Sequence, residues 1–110
     1  MNADQFQSFK QQIIAAVDKH LAEGGTIATG GFGAGKCLCP LSCLGGENLG
    51  GTKPTYQSLT EQLGFLVSDD EVWGFILAFD GGEYFESHHD TAMKMLGVEL
   101  RNKYLPLPKE

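Results

Sequence analysis

The three cysteines of the chain fall within one short segment, at Cys37, Cys39 and Cys43. Side chains two residues apart point to the same side of an extended segment, so Cys37 and Cys39 are expected side by side. A turn at Pro40 would bring Cys43 back to them. Because thiolates are common ligands of structural zinc, this cluster is the first candidate for chemistry in the sequence.

A fourth zinc ligand is available from His88 or His89, which lie at the start of the last predicted helix. The dipole at a helix N-terminus disfavours a charged imidazole and so favours the neutral form that binds a metal. Together with Cys37, Cys39 and Cys43, either histidine would complete a zinc site of the closed, structural kind.

The same cysteines support two other interpretations. The cluster lacks the C-x-x-C pair of familiar zinc sites, and free cysteine is commonly a small buried apolar residue. A cysteine with a histidine base could also be the nucleophile of a hydrolase or transferase. We favour buried cysteines, and therefore a protein without a cofactor, and keep zinc or thiol chemistry as the alternative.

Residues 30–37, GGFGAGKC, match the phosphate-binding template G-x-x-x-x-G-K-[ST] except at Cys37. A thiol is a poor ligand for the magnesium ion that a hydroxyl would bind there. The lysine of a phosphate loop opens a helix, whereas Lys36 is followed by Cys-Leu-Cys-Pro. We therefore interpret the glycines as a turn and Lys36 as a solvated side chain, with no bound nucleotide.

Apolar residues at helical spacing predict that most of the chain is helical. Asn2 or Asp4 can cap the first helix, and Ser68 with Glu71 forms a capping box at the start of another. About four helices are expected, near residues 2–24, 55–64, 68–80 and 87–104, with a short helical turn at 41–44.

One short, glycine-rich β-hairpin is predicted between the first two helices. Its strands, residues 26–29 and 36–39, would be joined by GGFGAG. The sequence thus predicts an α+β fold, a mostly helical small domain in which residues 1–110 form a single domain. The residues expected to face its core include Trp73 with its phenylalanine neighbours, and Ala92, Leu96, Leu100 and Tyr104 of the last helix.

The charge balance limits the partners. The chain has 14 acidic and 8 basic residues, for a formal net charge of -6. This excess opposes binding to nucleic acid or to an anionic membrane, because both rest on basic side chains that neutralise phosphates. The sequence shows no secretory signal and no apolar run of membrane-spanning length, and an odd, clustered set of cysteines favours a reducing cytoplasm.

These observations favour a small, acidic, non-enzymatic cytosolic protein. We expect a protein-binding or regulatory module, of the inhibitor or immunity kind, whose acidic surface meets a basic protein partner. The composition leaves open whether two copies form a homodimer. The alternative function is a small zinc-binding or thiol-dependent protein built on Cys37, Cys39 and Cys43.

Overall fold

A computed structural model of the chain describes residues 1–29, 33–45, 53–80 and 91–105. Within these residues the chain forms two compact units, Met1–Ser68 and Asp69–Glu110. Helices dominate both units, which confirms the mostly helical α+β prediction; the single domain stays a prediction. The elements are α1 (Ala3–Ala22), β1 (Thr26–Ile27), β2 (Gly33–Ala34), β3 (Cys37–Leu38), α2 (Pro40–Gly45), α3 (Thr55–Leu63), α4 (Asp69–Phe79) and α5 (Thr91–Tyr104).

Helix α1 begins at a reciprocal cap. The Gln5 backbone N–H donates to the Asn2 side chain at 2.8 Å, and the Gln5 side chain accepts from the Asn2 N–H at 3.0 Å. Asn2 is therefore the cap, and Asp4 lies inside the first turn, where it complements the helix dipole. The helix packs against α2 and buries one face, formed by Phe9, Ile13 and Val17.

The small sheet corrects the predicted hairpin. Strands β1 and β3 do pair, but in parallel, with Thr26 opposite Cys37. The antiparallel partner of β3 is β2, and the two are joined by a turn at Gly35 and Lys36. Gly35 has a φ of 61°, the left-handed conformation that glycine adopts easily at the first position of such turns. The reversal predicted between β1 and β3 therefore takes place between β2 and β3.

Helix α3 ends at the predicted glycine. Gly64 has a φ of 84°, and its N–H donates to the Thr60 carbonyl. The Thr60 hydroxyl then accepts from the Val67 N–H at 2.9 Å, which fixes the chain just beyond the helix. A left-handed glycine at this position is a common way to stop a helix, so the predicted end near residue 64 is confirmed.

The second unit is built on the close approach of α5 to α4 at Gly97. A Cβ atom at Gly97 would lie 2.7 Å from the Phe75 carbonyl oxygen, 2.9 Å from Ala78 Cβ and 3.0 Å from the Phe79 nitrogen. Around this point α5 buries Met93, Leu96 and Leu100. The Arg101 guanidinium donates to the Phe79 carbonyl at 2.8 Å and so satisfies an acceptor near the end of α4.

This packing corrects two predictions about the core. Ala92 was expected on the inward face of the last helix, but it is exposed, and Met93 takes the buried position. Trp73 was expected in the core, but it is 45% exposed, whereas Phe75 and Phe79 are buried as expected. Both differences follow from Gly97, which sets the faces of α4 and α5 that meet.

We predict that Gly97→Ala destabilises the second unit. Alanine favours a helix over glycine by about 1 kcal/mol, but the new methyl group would overlap backbone atoms of α4 that cannot rotate away. We expect a net loss of about 1–2 kcal/mol in the free energy of unfolding, measured by urea titration. The exposed Asn102→Ala in α5 is the control and should be neutral or stabilising. An equal response of the two variants would contradict the close approach.

Candidate functional site

Cys39 caps helix α2. The Ser42 N–H donates to Cys39 Sγ at 3.4 Å, and the Cys43 N–H donates to the Cys39 carbonyl at 3.0 Å. These are the two bonds of an N-cap residue, and Pro40 occupies the first helical position, where its missing N–H costs nothing. The Cys39 sulfur also lies 3.7 Å from the Ser42 hydroxyl. Cys39 is buried, so its thiol has a structural role at the start of α2.

Cys43 lies one helical turn after Cys39. Burial, and secondarily the neighbouring Cys39, raise the pKa of the Cys43 thiol from 9.0 to about 11. A thiol with so high a pKa stays protonated near neutral pH, whereas nucleophilic and metal-binding cysteines act as thiolates. The folded environment therefore opposes the ionised form of Cys43, and metal binding here would have to displace its proton.

Cys37 is placed differently from the other two cysteines. It lies on β3 and is exposed, whereas Cys39 follows the end of that strand and is buried. The extended strand ends at Leu38, because helix α2 begins at Pro40. Cys37 and Cys39 therefore do not lie side by side on one strand, as the sequence had predicted. Of the cysteines, Cys37 is therefore the most accessible to solvent.

The predicted zinc ligands are not brought together in the part of the chain that the structure describes. Among those residues, no group of three or more cysteine, histidine, aspartate or glutamate side chains could hold a metal ion. His88 and His89 lie outside the described residues. A zinc site formed by Cys37, Cys39 and Cys43 with either histidine therefore stays a prediction.

Lys36, the lysine of the match to the phosphate-loop template, lies between strands β2 and β3. Lys36 is exposed in the turn between β2 and β3, and its carbonyl accepts from the Thr26 N–H at 2.7 Å. A strand and not a helix follows it directly, so Lys36 does not open a helix as the lysine of a phosphate loop does. This agrees with the interpretation of Lys36 as a solvated side chain.

The residue that the sequence interpretation missed is Trp73. Ala78 lies on the side of α4 that meets Gly97, and Trp73 is five residues earlier, roughly 140° around the helix. Leu77 is one turn beyond Trp73 and is partly exposed. A signal for this orientation exists in the sequence, because Gly74 and Ala78 are small residues one turn apart and mark the face that packs closely.

Carboxylates lie at both ends of this outward side of α4. Asp69 begins the helix and is exposed, and Asp80 follows its last residue and is partly exposed. No hydrogen bond or ion pair joins either carboxylate to another group of the described residues. The segment from Asp69 to Asp80 contains no lysine, arginine or histidine. We call Asp69, Trp73, Leu77 and Asp80 the α4 outer face.

Comparisons with protein-family models, with curated protein sequences and with solved structures found no match. Within the described residues, no helix has the length and apolar character needed to cross a membrane. The function is therefore inferred from the residues of the chain itself.

We predict that Cys39 stabilises α2 through its sulfur acceptor. Cys39→Ser keeps an acceptor in the cap position, whereas Cys39→Ala removes it and leaves the Ser42 N–H without that bond. We expect Cys39→Ala to lower the free energy of unfolding by about 1 kcal/mol more than Cys39→Ser, measured by urea titration. Equal losses in the two variants would mean that Cys39 fills space without capping.

A second prediction concerns stability at high pH. The folded chain raises the pKa of Cys43, so the protonated thiol favours the folded state. That contribution is complete below pH 9 and is lost as the pH rises from 9 to about 11. The wild type should therefore lose melting temperature relative to Cys43→Ser over this interval, because the serine does not titrate there. A constant difference between the two proteins would show that Cys43 is not held in its protonated form.

Proposed function

We propose that the chain is a protein-binding or regulatory module, of the inhibitor or immunity kind, that binds a basic protein partner. The observation that carries the proposal is the exposure of Trp73 on a side of α4 that has carboxylates at both ends and no lysine, arginine or histidine between them. Tryptophan is usually well buried, and it is enriched among the residues that dominate protein–protein binding energy.

The charge of the chain supports the same proposal. A net charge of -6 attracts a basic surface over several ångströms and speeds the encounter with it. It also repels nucleic acid and anionic lipid, so a basic protein is the macromolecule that the electrostatics favour. The segment from Asp69 to Asp80 has no basic residue, so the attraction of a basic partner also holds at this segment and not only for the chain as a whole.

The proposal predicts capture of a specific protein from the cell of origin. Tagged protein would be incubated with lysate at physiological ionic strength, with and without excess untagged protein, and the retained proteins quantified by mass spectrometry. We expect a retained protein of basic isoelectric point whose yield falls when untagged chain competes. If no protein is retained in a competable manner, the proposed function is wrong.

The alternative is a zinc-binding or thiol-dependent protein built on Cys37, Cys39 and Cys43. It is kept because Cys39 and Cys43 lie one helical turn apart, although the raised pKa of Cys43 means that a bound metal would have to displace the thiol proton. A native mass spectrum of freshly purified, reduced protein tests it. A mass excess of one zinc ion, lost on acidification and absent from Cys39→Ser, would support this function. A bare chain mass with three free thiols would favour the structural role of Cys39.

A further inference from the structure

We infer that the α4 outer face is the docking site for a basic amphipathic helix of the partner protein. This inference rests on the proposed function and gives it a location and a partner chemistry. The partner helix would contribute bulky apolar side chains to Trp73 and Leu77, and lysine or arginine side chains to Asp69 and Asp80.

The spacing along α4 suits a second helix. Trp73 and Leu77 are one turn apart and form an apolar ridge, and such ridges pack into the grooves of a neighbouring helix. Asp69 and Asp80 lie about 16 Å apart along the axis, at 1.5 Å per residue. Cations about three helical turns apart on the partner would therefore meet both carboxylates while its apolar centre covers the ridge.

Asp80 provides an independent reason to expect a cationic partner. It follows the last residue of α4, where the partial negative charge of the helix C-terminus disfavours another anion. The Arg101 guanidinium, which donates to the Phe79 carbonyl, offsets part of that repulsion, but among the described residues it makes no ion pair with the Asp80 carboxylate. The Asp80 carboxylate is only partly buried and is therefore available to a cation of the partner helix.

A second copy of the chain is a poorer occupant. Two copies related by a two-fold axis present the same face to each other, so their antiparallel α4 helices would bring Asp69 of one copy near Asp80 of the other. Carboxylates facing carboxylates oppose the contact, and the segment from Asp69 to Asp80 has no cation to relieve them. The charge of the face thus favours a different, basic chain.

Trp73 makes the contact measurable, because it is the single tryptophan of the chain. The probe is an amphipathic Lys/Leu peptide without aromatic residues, and a Glu/Leu peptide of the same pattern is its control. We expect the Lys/Leu peptide to shift the emission of Trp73 to shorter wavelength and to protect it from acrylamide. The shift should weaken as salt rises, and the Glu/Leu peptide should cause none. No shift with the Lys/Leu peptide would overturn the inference.

Matched variants separate this face from general charge attraction. Asp69→Asn with Asp80→Asn should weaken binding of the Lys/Leu peptide about fivefold or more, measured by calorimetry. The control pair is Asp4→Asn with Glu23→Gln, which removes the same charge from the two ends of α1. If both pairs weaken binding equally, the peptide responds only to net charge, and the inference is wrong.

The last experiment removes the aromatic side chain of Trp73 from the α4 outer face. Trp73→Ser should weaken peptide binding by roughly tenfold or more, whereas Met95→Ser, at an exposed methionine of α5, should leave it unchanged. Circular dichroism and melting temperature establish that both variants fold. Sedimentation velocity tests the alternative occupant: a wild-type dimer that Trp73→Ser converts to a monomer would overturn the inference in favour of self-association.

The same variants distinguish failure of the site from failure of the function. A partner captured from lysate by the wild type and by Met95→Ser, but not by Trp73→Ser, supports both proposals when that partner is basic. A partner retained equally by Trp73→Ser means that the chain binds protein elsewhere, so the docking site is wrong and the proposed function stands. If the wild type captures no protein specifically, both the docking site and the proposed function are wrong.

Discussion

The helical pair of the second unit depends on the absence of one side chain, at Gly97. Without a Cβ there, the backbone of α5 rests directly on the Phe75 carbonyl and on Ala78. This contact fixes the rotation of α4 about its own axis, because only one side of α4 can meet a glycine at that distance. Once that side is fixed, the opposite side is fixed as well, and Trp73 lies on it. The exposure of the tryptophan is therefore a consequence of the packing.

Most of the helices could be predicted from the sequence, because they depend on local signals. The Asn2 cap, the glycine at position 64 and the spacing of Phe9, Ile13 and Val17 act within a few residues of one another. The start of α4 directly after Ser68 is also a local feature. Such signals need no knowledge of which elements meet in space.

The predictions that the structure corrected all depend on which elements pack against each other. The parallel pairing of β1 with β3 depends on β2, a strand of only two residues that periodicity cannot reveal. The orientation of Trp73 depends on a glycine in another helix. Helix α4 is so apolar that its hydrophobic pattern does not distinguish an inner from an outer side, and only the small residues Gly74 and Ala78 mark the side that packs closely. The candidate site was missed for the same reason, since a large aromatic residue among apolar neighbours is usually a core residue.

The N-cap of α2 has a consequence for the lifetime of the fold. A hydroxyl or carboxylate, the usual capping group, is chemically inert, whereas the Cys39 sulfur can gain oxygen atoms stepwise under oxidative stress. Cys39 is 7% exposed, so an oxygen atom added to its sulfur would have to be accommodated beside the Ser42 N–H that now donates to this sulfur. Oxidation of Cys39 would thus act on the folding of the first unit, and only the first product, the sulfenic acid, is readily reduced back to the thiol that caps α2.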